Sequence, residues 1–107
     1  MGTGGATMIQ SAVVVDNQVQ VVLVGSIYIE EAKQMQEKIR DFLEHGHKRL
    51  AFDMSGVDYI DSSGLGMLVS LHKQALKKGG CMKISGIKGM VREVFELTRL
   101  TKVFGIE

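Results

Sequence analysis

The apolar period of this chain switches repeatedly between about two and about 3.6 residues, which restricts it to a layered fold of strands and helices. Val19, Val21 and Leu23 recur at every second position, the spacing of a strand with one buried face. Ala32, Met35, Ile39, Phe42 and Leu43 then recur at helical spacing, with Glu30, Glu31, Lys33, Glu37, Lys38 and Arg40 between them. Glu30 and Glu31 suit a helix start, and Gly46 suits a stop. Arg49 to Met54 is strand-like, and Leu65 to Lys78 is helical, with Leu65, Leu68, Val69, His72 and Leu76 on one face. Gly79-Gly80 ends that helix, Cys81 to Ser85 reads as a strand, and Val91, Val94, Phe95 and Thr98 stripe a third helix. Lys102 to Ile106 reads as a short last strand. At the front, Met8 to Val15 and Gln18 to Val24 form a hairpin about Asp16-Asn17, and Gly25-Ser26 ends its second strand. The order β-β-α-β-α-β-α-β predicts an α/β fold: a mixed, mostly parallel sheet of about five strands with helices packed against it.

At 107 residues the chain is long enough for one core without staples. Residues 1–7, rich in glycine, read as a flexible tail, and residues 8–107 as one domain. A net charge of +1 argues against nucleic acid, which calls for a concentrated basic surface. Lys73, Lys77, Lys78 and Lys83 gather in sequence, but cations suit a helix C-terminus. The single cysteine, Cys81, allows no internal disulfide and fits a reducing compartment. No apolar run reaches membrane-span length, and the first residues lack the basic start and apolar core of a secretion signal. These features together read as cytoplasmic.

Enzyme motifs find little support. Gly64-Leu65-Gly66 lacks the third glycine of a dinucleotide fingerprint and the lysine of a phosphate loop, and it is not a hydrolase nucleophile elbow. His45, His47 and His72 have no metal-binding spacing with Cys81. Asp53, Asp58 and Asp61 raise the question of Mg²⁺, but Asp53 falls inside a strand and Asp58 in a turn, so no metal or other cofactor is assigned. Met35, Met67, Met82 and Met90 lie in apolar runs, where methionine fills core space.

The run Asp61-Ser62-Ser63-Gly64-Leu65-Gly66 is different. It lies between a strand and a helix, at the C-terminal end of the strand, where open α/β sheets carry functional loops. Ser62 or Ser63 is placed to cap the helix. A hydroxyl there is also placed to carry a phosphate, because a helix N-terminus favours an anion.

From Asp53 to Gly66 the chain resembles the signature of STAS domains, and more narrowly the bacterial anti-sigma-factor antagonists. The likeness extends from Met8 to Ile106 and includes Lys78-Gly79-Gly80 and Phe95-Glu96-Leu97-Thr98-Arg99-Leu100. The resemblance implies a non-enzymatic protein that takes part in partner switching. Unphosphorylated, it binds an anti-sigma factor that is also a serine protein kinase. Phosphorylation at Ser62 ends that binding, and a PP2C-type phosphatase restores it. The partner-binding residues it implies are Asp61, Ser62, Ser63, Gly64 and Leu65, with Tyr28 at the preceding helix start. Tyr28 stands where many antagonists carry an aspartate that contacts the kinase, which points to a different partner surface. The chain also ends at Glu107, where many members continue into a final helix, so a more exposed sheet face is expected. An alternative within the same family is an interaction module in a signalling scaffold or lipid-transport complex, without a phospho-switch.

Overall fold

The computed structural model describes residues 9–106. Met8 and the tail read at residues 1–7 lie outside the described residues. Five strands form one sheet: β1 (Ile9–Val15), β2 (Gln18–Ile27), β3 (Arg49–Ile60), β4 (Cys81–Ser85) and β5 (Gly105–Ile106). Three helices connect the parallel strands: α1 (Ile29–Glu44), α2 (Ser62–Lys77) and α3 (Gly89–Leu97). A 3-10 turn, Leu100–Lys102, leads into β5. The strands lie in sequence order, with β1 antiparallel to β2 and every later neighbour parallel. The predicted element order and mixed sheet are therefore present.

The hairpin turn is a residue pair in the left-handed region, Asp16 at φ 52° and Asn17 at φ 65°. Such a turn matches the right-handed twist of the strands it joins, and Asp and Asn tolerate it better than other non-glycine residues. Across the sheet, Val19 pairs with Leu50 and Leu50 with Met82, while Val21 pairs with Phe52 and Phe52 with Ile84. All six are buried, so one sheet face is the core face. Met35, Ile39 and Leu43 of α1, Leu68 and Leu71 of α2, and Val91 and Phe95 of α3 complete the same cluster. Phe104 lies between α2 and α3, with its ring 5.1 Å from His72 and 6.0 Å from Phe95. On the opposite face Gln20, Ala51 and Lys83 are exposed or half-buried. No described helix is long and apolar enough to cross a membrane.

Several boundaries differ from the sequence reading. β2 runs on through Gly25 to Ile27, and β3 runs on past Met54, the end of its strand-like stretch, through residues 55–60. Register shifts between Val22 and Val24 and between Gly25 and Ser26 explain the discrepancy. The bulged ladder spaces the buried residues Met54, Val57 and Ile60 three apart, which erases the alternation that marks a strand. Asp58 accordingly sits in β3 and not in a turn. On α2 the buried face is Met67, Leu68, Leu71 and Ala75. Leu76, assigned above to that face, is 53% exposed because it lies too far round the helix from Leu68 and Leu71.

Candidate functional site

The extension of β2 and β3 decides where the site lies. Ile27 and Ile60 are the last paired residues of these neighbouring strands, so α1 and α2 start side by side. Tyr28 is the residue before α1, and Asp61 the residue before α2. The Asp61 N–H donates to the Ile27 carbonyl at 3.2 Å, which fixes the entry to α2 against β2.

Asp61 is the cap of α2, in extended backbone, and its carboxylate accepts from the Gly64 N–H at 3.0 Å. The sequence pattern predicts Ser62 or Ser63 there. The helix begins at Ser62, three residues before the predicted Leu65, so both serines fall in its first turn, past the cap position. Aspartate satisfies an unpaired N–H as a serine would and adds a negative charge at the positive helix end. This releases the serine hydroxyls. Ser62 is exposed and Ser63 half-buried, and among the described residues neither hydroxyl has an internal hydrogen bond. The N–H groups of Ser62 and Ser63 also have no acceptor there, leaving two donors beside the Ser62 side chain.

Gly64 is buried against the strand ends. A Cβ at that position would lie 2.5 Å from Ile60 Cγ1 and 3.0 Å from Ile27 Cγ2. The first turn of α2 therefore sits on β2 and β3 more closely than any side chain permits. Leu65 is half-buried beside the core.

Tyr28 and Tyr59 form the other wall. Their ring centroids are 5.3 Å apart, tilted by 38°. The two tyrosines are 46% and 36% exposed, and Ile29 beside them is exposed as well. The Tyr28 N–H donates to Glu31 Oε1 at 3.1 Å, so Glu31 closes the start of α1. Tyr59 carries no regular strand signal in the sequence, because it falls within the bulged part of β3. Its signal was the aromatic residue two before the motif, which becomes meaningful once β3 pairs with β2.

The carboxylates do not converge. Asp53 accepts from the N–H and hydroxyl of Ser55, at 3.0 and 2.8 Å, and these bonds hold its carboxyl below the usual range. Asp61 is committed to Gly64, and Asp58 is exposed on β3. No group of three His, Cys, Asp or Glu residues able to hold a metal occurs among the described residues. His72 does not face this site. Its ring packs on Phe104, its Nδ1 is buried without a hydrogen-bond partner, and burial pushes its pKa down.

The profile of the STAS domain family matches residues 10–107. The chain belongs to the STAS domain family. It is 31% identical over 91 residues to the anti-sigma-B factor antagonist of Bacillus subtilis, covering 85% of this chain and 83% of that one. Among solved structures, TM1081 from Thermotoga maritima superposes with a TM-score of 0.85 at 28% identity, covering 90% of this chain and 83% of that one. The phosphorylated form of SpoIIAA, a Bacillus cell fate determinant, shares the fold at 18% identity, with a TM-score of 0.75 over 95% of this chain and 91% of that one. In this STAS domain, the resembling signature forms the end of β3, the cap Asp61 and the first turn of α2.

Proposed function

We propose that this STAS domain is an anti-sigma-factor antagonist, switched by phosphorylation of Ser62. Unmodified, it binds an anti-sigma factor that is also a serine kinase. The modified form is released, and a phosphatase of the PP2C type resets it. The observation that carries the reading is the position of Ser62: exposed in the first turn of α2, with the capping task already taken by Asp61. A hydroxyl with no internal bond is available to chemistry at no cost to the fold. The family relationship and the likeness to an anti-sigma-B factor antagonist support the reading.

The switch is electrostatic. Ser62 Oγ attacks the γ-phosphorus of ATP on the kinase, the bond to ADP breaks, and the hydroxyl proton passes to a base of the kinase. Hydrolysis of the phosphoester by water restores the hydroxyl. The phosphate adds about −1.5 to −2 charges at neutral pH. The N–H groups of Ser62 and Ser63 and the positive helix end accommodate it from within. A partner surface that had closed over Ser62 meets a dianion next to the Asp61 carboxylate. A loss of ~3 kcal/mol in binding lowers affinity more than a hundredfold. No rearrangement of the domain is required.

The test is binding of the anti-sigma kinase to wild type, Ser62→Ala and Ser62→Asp, with phosphosite mass spectrometry on the wild-type protein. Ser62→Ala is expected to bind and resist phosphorylation, and Ser62→Asp to stay folded and bind at least tenfold more weakly. Equal binding by all three, or an unmodified Ser62 in wild-type protein incubated with kinase and ATP, refutes the reading. The Tyr28–Tyr59 surface favours a second reading, an interaction module of a scaffold or lipid-transport complex. Paired exposed aromatic rings give a partner apolar contact that needs no phosphate.

A further inference from the structure

The face of α2 that carries Ser62 continues along the helix. Gly66, Ser70, Lys73 and Lys77 follow at steps of three and four residues and so share that face. Two adjoining hollows lie along it, of about 360 and 430 Å³. The first extends from Gly66 to Lys77. The second crosses from Lys77 to Arg40 and Leu43 of α1, and both include Gln74. The floor is fixed, because the Ser70 hydroxyl accepts from Gln36 of α1 and Gln74 of α2, each at 3.1 Å. The groove is basic. Arg40, Lys73, Lys77 and Lys78 line it against one carboxylate, Glu44, and none of the four cations forms an ion pair among the described residues.

Gly66 supplies an independent observation. Glycine weakens a helix relative to alanine. Gly66 lies within α2 without a positive φ, and a Cβ added there would meet no atom within 4 Å. Neither backbone conformation nor internal packing calls for a glycine, in contrast to Gly64. What the missing side chain does provide is room for another main chain to pass close to the helix, at the end of the groove nearest Ser62.

We propose that this groove docks an acidic segment of the anti-sigma partner. Its carboxylates pair with Lys73 and Lys77, and its main chain passes over Gly66 toward Ser62. The inference rests on the antagonist reading and extends the partner's footprint from the phosphorylation site along α2. Lys73 and Lys77 are one helical turn apart, a spacing that successive acidic residues of a helix match. Leu76, exposed in the same turn, offers that segment an apolar contact. No aromatic ring lines either hollow to stack a nucleotide base, so charge alone marks the occupant. Charges at such a rim act mainly on association rate and register.

The experiment measures association of the purified partner kinase with wild type, the double variant Lys73→Glu/Lys77→Glu, Gly66→Gln and Ser62→Asp, at low and high salt. Charge reversal is expected to slow association about tenfold at low ionic strength, with the difference shrinking as salt screens it. Gly66→Gln is expected to weaken binding about tenfold by obstructing the groove, with its circular dichroism unchanged. Wild-type rates and salt dependence in the double variant, with binding still lost in Ser62→Asp, overturn the groove and leave the antagonist reading intact. Binding lost on charge reversal but indifferent to Ser62→Asp supports the groove and refutes the switch. Sedimentation with phosphatidylserine vesicles that depends on Lys73 and Lys77, with kinase association unaffected, assigns the groove to a membrane surface and overturns the proposal.

Discussion

Two glycines in one motif should respond in opposite directions to the same substitution. At Gly64 an alanine methyl would sit 2.5 Å from Ile60 Cγ1 and 3.0 Å from Ile27 Cγ2. Both isoleucines are fully buried, and Cγ1 and Cγ2 are bonded directly to the branched Cβ, so neither can move aside cheaply. Overpacking of this kind costs roughly 1 to 3 kcal/mol. Alanine's helix preference returns at most about 1 kcal/mol, less in a first turn. Gly64→Ala should therefore destabilise the fold by about 1 to 2 kcal/mol. For a domain of this size that lowers the melting temperature by roughly 4 to 12 °C. At Gly66 the methyl meets nothing, so only the helix preference acts, and Gly66→Ala should stabilise by about 0.5 to 1 kcal/mol. Thermal unfolding by circular dichroism, with urea midpoints at constant m, reads both. The reasoning fails if Gly64→Ala melts at or above the wild-type temperature, or if Gly66→Ala destabilises. Relief of the Gly64 clash must also lift the first turn of α2, so weaker partner binding in a still-folded Gly64→Ala would locate the strain at the site.

Asp61→Ala should cost about 1 kcal/mol of stability through loss of the cap, and Asp61→Asn should recover most of it; equal urea midpoints for all three would deny the carboxylate its capping role. Leu68→Ala should cost roughly 2 to 5 kcal/mol, since the side chain is fully buried under α2, and a change below about half a kcal/mol would remove it from the core. His72 makes stability fall in acid. Its folded pKa lies below the ordinary value, so its contribution is present above that value and is lost as pH falls toward the folded pKa. His45, held up by the Asp41 carbonyl and charge, acts in the opposite sense, since its contribution is complete below the ordinary value and is lost as pH rises through its folded pKa. Comparing His72→Phe with wild type between pH 7 and 5 isolates the first effect: the variant should lose less stability over this range, and parallel curves would refute it.

The sequence carried the element order because period and spacing survive wherever strands pair regularly and helices cover them. Val19, Val21 and Leu23 against Ala32, Met35 and Ile39 are enough to separate β2 from α1. Where the ladder bulges, the signal disappears: Met54, Val57 and Ile60 all reach the core, but at a spacing that belongs to neither regular period. The site depends on that irregular stretch, which explains why the motif was legible and its surroundings were not. Asp61, Ser62 and Gly64 stood out by composition. The cap assignment went to a serine because aspartate and serine rank alike as caps, and local sequence does not fix the first helical residue. Tyr59 was invisible as a partner of Tyr28 because their proximity follows from the pairing of Ser26 with Tyr59 across two strands.

The sheet order has a consequence for how the chain assembles. Every strand pairs with its immediate predecessor in sequence, so each new strand adds to an edge already in place. Such a topology closes only loops the length of one crossover, which favours rapid folding from the N-terminal side during synthesis. There is no proline to impose a slow isomerisation step. The bonds and contacts that shape the Ser62 region run between residues 27 and 65. The Ser62 surface is thus specified by the second and third strands and the helices they launch, and the emerging chain has encoded it before its last two strands have left the ribosome.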